Sequence, residues 1–191
     1  METASIIFLA VLVIALLYLI SLYNHLVRIK HNVSKAWSNI DVLLKQRHDE
    51  IPKLVETCKQ YMKFEKETLE KVMQARNQVS AARKSGDMKQ LGAAEGMLRM
   101  GLGNLFAVAE AYPDLKADQS FQHLESRISA LESAIADRRE FYNESVNINN
   151  TRIEQFPDII IARMFNFTAR DLLEFSAGEI ADVDMKNLFS A

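Results

Sequence analysis

The chain has 191 residues, and its 23 Lys and Arg against 25 Asp and Glu leave a net charge of −2, without the basic excess that nucleic-acid binding requires. Six Gly, three Pro and one Cys supply too little turn chemistry for an all-β fold, no disulfide framework and no Cys-based metal cluster. Helix is the expected secondary structure.

The charges are unevenly placed. Thr3 to Val27 contains no Asp, Glu, Lys or Arg, and 18 of the 20 residues from Ala4 to Tyr23 are apolar. At about 1.5 Å per residue these 20 residues reach roughly 30 Å, the thickness of the hydrocarbon layer. A cleaved signal peptide would show a basic start, a shorter apolar run and a small-x-small cleavage site. Here only Glu2 precedes the run and Leu22-Tyr23-Asn24-His25 closes it, which predicts a retained membrane helix at 4–23. Arg28, Lys30 and Lys35 follow the span, and no cation precedes it. By the positive-inside rule, residues 1–3 then face outward and the C-terminal side of this single span is cytoplasmic. The same three cations, with His25 and His31 nearby, are candidates for holding anionic lipid headgroups.

Apolar positions continue past the span at Leu22, Leu26, Ile29, Val33, Ala36, Ile40 and Leu43, in steps of four and three, with Trp37 flanking the seam. This spacing predicts one continuous helix from about Ser5 to His48. Pro52 suits the first turn of a second helix, capped by Asp49, with its stripe at Ile51, Val55, Cys58, Met62, Leu69, Val72 and Val79 and its end at Lys84-Ser85-Gly86-Asp87. Cys58 falls inside that stripe and reads as a small buried hydrophobe.

The third helix, Met88 to Ala111, carries four of the six glycines: Gly92, Gly96, Gly101 and Gly103. Each costs roughly 1 kcal/mol against Ala in a helix interior, so close backbone packing or a subunit contact is the expected reason. With Met97 and Met100 these glycines are the candidate interaction surface. The fourth helix starts after Asp118 and Ser120, with a stripe at Phe121, Leu124, Ile128, Leu131, Ile135, Arg138 and Tyr142, and reaches Phe156 through the weaker helix formers Asn143, Asn147, Asn149 and Asn150. Two short amphipathic pieces, Ile159 to Phe165 and Ala169 to Phe175, precede an acidic tail at 176–191, expected to be mobile. The predicted architecture is all-α: one N-terminal transmembrane helix running into an antiparallel four-helix bundle that fills 24–175.

Catalytic patterns are not found. No Glu-x-x-His, His-Glu-x-x-His, phosphate-binding loop or dinucleotide fingerprint occurs, so no catalytic residue, metal, cofactor or small-molecule substrate is expected. Arg47-His48-Asp49-Glu50, at the expected first interhelical corner, is the densest polar group. A cation-dependent enzyme built on His48, Asp49 and Glu50 is the weaker reading there, capping and solvation the simpler one.

The runs Tyr23-Asn24-His25-Leu26-Val27-Arg28 and Ala36-Trp37-Ser38-x-Ile40-Asp41-Val42-x-Leu44-Lys45-x-Arg47-His48-Asp49-x-Ile51-Pro52 resemble the opening motif of the bacterial LemA family. Glu65-Lys66-Glu67-Thr68-Leu69, Ala75-Arg76-Asn77, Leu105-Phe106-Ala107-x-Ala109-Glu110-Ala111-Tyr112-Pro113-Asp114-Leu115-Lys116, Tyr142-Asn143 and Phe156-Pro157 are similar to its later signatures, and the resemblance covers about Tyr23 to Phe175. Asn149 departs from the family's second Tyr-Asn pair, and the tail beyond Ser176 matches poorly. The resemblance implies a membrane-anchored helical bundle with no established catalytic activity. It also implies a link to membrane organisation, since a relative is implicated in forming the magnetosome membrane, or to envelope quality control beside an HtpX-type membrane metalloprotease. The expected role is a self-associating scaffold or interaction protein, with a protease adaptor as the alternative; membrane lipids, further copies and a membrane metalloprotease are the expected partners.

Overall fold

The computed structural model describes residues 2–174, all-α and without a strand among them. The helices are α1 (Glu2–Tyr61), α2 (Lys66–Ser85), α3 (Met88–Ala109), α4 (Pro113–Ala117), α5 (Gln119–Glu154) and α6 (Asp158–Met164). The expected tail at 176–191, and Phe175 before it, lie outside the described residues.

The main departure from the sequence reading is at Pro52. A second helix was expected to start there, yet α1 runs through it for 60 residues and breaks only at Tyr61. An interior proline removes one N–H and crowds the carbonyl four residues earlier, which here belongs to His48. That carbonyl is not orphaned, because Arg76 Nε on α2 donates to it at 2.8 Å. Arg47-His48-Asp49-Glu50 therefore lies within a helix and not at a corner, and Asp49 caps nothing.

The other boundaries follow local chemistry. Gly86 ends α2 with φ at 74°, the left-handed cap that favours glycine, and its N–H donates to the Ala82 carbonyl. Asp87 opens α3 by accepting from the N–H groups of Lys89 and Gln90. Asp118 does the same for α5 through the Phe121 N–H at 2.9 Å, while Pro113 starts the added short helix α4. The expected fourth helix ends at Glu154, two residues short of Phe156. After α6 the chain runs without regular structure to residue 174, so the described part of the expected second amphipathic piece, 169–174, is not helical.

The chain divides into two compact units. The first holds residues 2–39 and Glu140–Leu172, the second Ile40–Arg139 with 173–174, so α1 and α5 contribute to both. In the first unit Leu26, Ile29, Val33 and Ala36 are buried as the seam predicts, and Trp37 stands edge-on to Tyr142 with ring centroids 5.9 Å apart. Residues 2–21 of α1 are exposed throughout, Ile6, Phe8, Ile14 and Leu17 each by more than 60%. This stretch is long and apolar enough to cross a membrane. A second apolar cluster joins Leu26 to Ile161 and Ala162 of α6, with Leu22, Ile153 and Phe167 around it.

In the second unit every member of the expected second stripe is buried, although Ile51, Val55, Cys58 and Met62 belong to the end of α1 and its turn. The seam of α1 also shifts: Leu44 replaces Leu43 and is followed by Arg47, Ile51 and Leu54. Of the fourth stripe, Arg138 alone is exposed. The exposed ion pair of Glu67 and Lys71 forms at 2.7 Å.

Candidate functional site

The first unit builds a polar pocket where the apolar stretch of α1 ends. Its foundation is a strap, residues 165–171, tied to one face of α5. Tyr142 donates its hydroxyl to the Asp171 carbonyl (3.0 Å), and Asn149 donates Nδ2 to the Thr168 carbonyl (3.3 Å). Asn150 makes a two-way bond with Arg170: its Nδ2 donates to the Arg170 carbonyl, and its Oδ1 accepts from the Arg170 N–H, both at 2.9 Å. The strap begins in a left-handed turn at Asn166 (φ 55°), where the Phe167 N–H closes back onto the Ala162 carbonyl at 2.9 Å. Two of the asparagines that weaken helix propensity in α5, Asn149 and Asn150, thus hold the strap.

The strap brings two aromatic rings onto α1. Phe165 and Phe167 lie 4.7 and 6.0 Å, centroid to centroid, from Tyr23, the last residue of the predicted span. Behind them lies a pocket of about 280 Å³ lined by Tyr23, Lys30, His31, Asn149, Phe165 and Arg170, among others, with no carboxylate among the described lining residues. Among the described residues, no ion pair joins Lys30 or Arg170 to an acid. Of the three headgroup candidates, Lys30 lines this pocket, whereas Arg28 and Lys35 are exposed on another face of α1. Sequence reasoning placed His31 beside the headgroup cations but missed Asn149 and Arg170 as members of the same site. The spacing 23, 27, 30, 31 was a readable signal for the α1 half, since those positions share a helical face.

The second unit holds a different polar group. Arg47, 1% exposed, donates to both Glu95 oxygens at 2.5 and 2.6 Å and to Glu132 Oε1 at 2.6 Å. Burial alone would depress the guanidinium, but the two carboxylates outweigh it and hold its pKa above the ordinary value. Glu50 pairs with Lys53 at 3.0 Å and Arg127 at 3.2 Å, and the bond from Lys53 helps hold its carboxyl below the usual range. His48 is shifted down by burial and by the nearby Arg76. The members of the polar run are thus engaged separately: Arg47 inward, Glu50 in surface ion pairs, and the His48 carbonyl with Arg76. Burial pushes the Cys58 thiol up to about 12, as suits a core residue.

The glycine-rich helix is divided as well. Gly92 and Gly96 are buried, Met97 and Met100 are more than half exposed, and Gly101 lies against Val72. Met97, Met100 and Gly101 border a groove of about 480 Å³ shared with Thr68, Gln74 and Gln78 of α2. Gly103 is exposed, and a Cβ there would meet nothing within 4 Å.

Residues 36–186 match the profile of the LemA family. The chain belongs to the LemA family. Among LemA relatives, the protein LemA of Metamycoplasma hominis is 28% identical over 167 residues, 86% of this chain and 74% of its own length. The magnetosome protein MamQ 1 of Paramagnetospirillum magneticum is 25% identical over 158 residues, covering 71% of this chain and 58% of the relative. Magnetosome protein MamQ of Magnetospirillum gryphiswaldense is 24% identical over 168 residues, 76% of this chain and 62% of that protein. The chain therefore spans about three fifths of the length of these MamQ relatives. The matched LemA region includes Arg47, Pro52, Arg76, Glu95, Asn150 and Arg170, and it starts after the apolar stretch of α1.

Proposed function

We propose that this LemA-family chain is a non-catalytic, membrane-anchored helical scaffold that organises membrane or recruits partners through contacts with further copies of itself. The observation that carries this reading is the continuity of α1: exposed apolar residues at 4–23 share one unbroken helix with the buried seam that starts at Leu26. The cations Arg28, Lys30 and Lys35 favour an outward N-terminus and a bundle from residue 24 in the cytoplasm, at the bacterial inner membrane. The MamQ relatives named as magnetosome proteins support a membrane setting.

The proposed bundle is antiparallel and four-helical. Partner numbers support it: as positions on α1 rise from Asp41 to His48, their partners on α2 fall from Arg83 to Arg76. From Arg47 through Glu50 to Tyr61 the partners fall from Glu132 through Arg127 to Asp118.

Self-association is assigned to the outer face of α3. Met97 and Met100 offer adaptable apolar contact, and Gly103 weakens the helix without a packing demand from its own chain. Anchoring confines copies to two dimensions and raises their effective concentration.

Chemical crosslinking in intact cells, followed by carbonate extraction of the membranes, tests the proposal. Extraction-resistant oligomers that are lost when Met97 and Met100 are changed to Gln support it. Monomer at every expression level overturns the self-association, and release by carbonate overturns the anchor.

A further inference from the structure

We propose that the pocket between Tyr23, Lys30, His31 and Arg170 binds the phosphate of an anionic phospholipid headgroup. The inference rests on the placement of residues 4–23 in a bilayer, and it goes beyond diffuse attraction of lipid by surface cations.

The chemistry of the wall points to a phosphate. Lys30 and Arg170 are basic side chains, His31 adds a ring nitrogen, Asn149 an amide, and none of the described lining residues is an acid. A volume of about 280 Å³ admits a phosphate with a small alcohol and excludes a whole lipid, so the acyl chains must stay outside. The surroundings provide for that. Tyr23 closes both the apolar stretch of α1 and one wall of the pocket, and Phe165 and Phe167 meet its ring at a tilt and edge-on. Lys30 is seven residues further along α1, about 10 Å at the helical rise, which is a headgroup's depth below the hydrocarbon boundary. On α6 the outward side chains Ile160 and Met164, with Phe156 just before the helix, are exposed by 51, 65 and 81%. They are exposed apolar side chains of the kind suited to the interfacial zone.

The geometry is built and not accidental. Arg170 reaches the pocket because Asn150 fixes both polar groups of its backbone and because Tyr142 and Asn149 hold the residues on either side of it. Three side chains of one helix are thus committed to presenting one cation.

The test uses the full-length protein in detergent with an equimolar mixture of phosphatidylcholine and phosphatidylglycerol, reading retained lipid by native mass spectrometry. The expected result is one retained phosphatidylglycerol, with the preference for it falling about tenfold in a Lys30→Gln, Arg170→Gln variant, since each headgroup-level cation contributes on the order of a few-fold. An Arg28→Gln, Lys35→Gln variant removes equal charge outside the pocket and keeps the preference. Equal loss in both variants, or loss in neither, overturns the pocket. Should the first variant fail to fold, His31→Gln with Lys30→Gln leaves the strap untouched and serves in its place. Titration of wild type with inorganic phosphate, followed by phosphorus NMR, separates the sources. Weak binding that leaves the lipid in place supports a lipid ligand, and saturable binding that displaces it overturns the lipid assignment in favour of a soluble phosphate. Carbonate release of the protein from membranes would defeat the anchor reading while leaving the phosphate result legible.

Discussion

Arg76 Nε donates to the carbonyl oxygen of His48 at 2.8 Å, and that carbonyl is the one Pro52 leaves without an intrahelical donor. The pair explains how a 60-residue helix passes a proline without ending. Restoring the missing N–H with Pro52→Ala should make Arg76 dispensable. We expect Arg76→Met to destabilise the parent by about 1–3 kcal/mol, the cost of an unsatisfied carbonyl, and to cost at least 1 kcal/mol less, by the same rough scale, in the Pro52→Ala background. A double-mutant cycle from chemical denaturation in detergent measures this. Additive effects would show that Arg76 stabilises for some other reason.

Arg47 is the most deeply buried charge among the described residues; its two terminal nitrogens pair with Glu95 and Glu132, while its buried Nε has no partner. Arg47→Met leaves the Glu95 carboxylate buried without its guanidinium, and loss of one partner of a buried pair costs about 3–5 kcal/mol. Arg47→Met combined with Glu95→Leu removes both charges and should recover much of that loss, which thermal unfolding followed by circular dichroism reads directly. A double variant as unstable as the single one would mean that packing volume, not charge burial, sets the cost.

How much of this was legible in the sequence differs from residue to residue. The apolar stripes needed no tertiary information, because positions such as Leu26, Ile29, Val33, Phe121 and Ile128 are buried by helical period alone. The same rule misjudged Leu43 against Leu44, where the seam drifts as a straight helix does. Pro52 was misread because a local rule for helix starts met a long-range rescue: the donor that relieves His48 comes from Arg76, 28 residues away. The pocket was half visible. Tyr23, Lys30 and His31 share a face of α1, but Arg170 enters only through hydrogen bonds from Asn150, and no periodicity encodes a strap.

His48 gives the pH dependence a definite sign. Burial, then Arg76, hold its pKa below the ordinary 6.5, with Arg83 and Lys84 adding to the effect and Asp49 opposing it. The folded chain therefore prefers neutral His48, and the unfolded chain takes up the proton first as pH falls. Stability from this group is complete above pH 6.5 and declines as the pH drops through 6.5 toward the lower folded-state value. Unfolding midpoints measured between about pH 7.5 and 5.5, spanning the ordinary histidine range, should fall for the parent and stay flatter for His48→Gln. An equal slope in both would assign the pH dependence to another group.

Asn150 should control the strap more than α5 itself. Its side chain makes two hydrogen bonds to the backbone of Arg170, while Tyr142 makes one to Asp171, so removing Asn150 should open the segment further than removing the Tyr142 hydroxyl. At about 0.5–1.5 kcal/mol net per bond, Asn150→Ala is expected to lower protection of the Arg170 amide roughly tenfold, and Tyr142→Phe to have a smaller effect. The packing of Leu26 against Ile161 and Ala162 does not use these bonds, so α6 amides should keep their exchange rates. Hydrogen–deuterium exchange on the full-length protein resolves the two segments. Loss of protection spreading equally through α6 and residues 165–171 would mean that the strap and the helix open as one unit, and that Asn150 supports the whole of it and not the position of Arg170 alone.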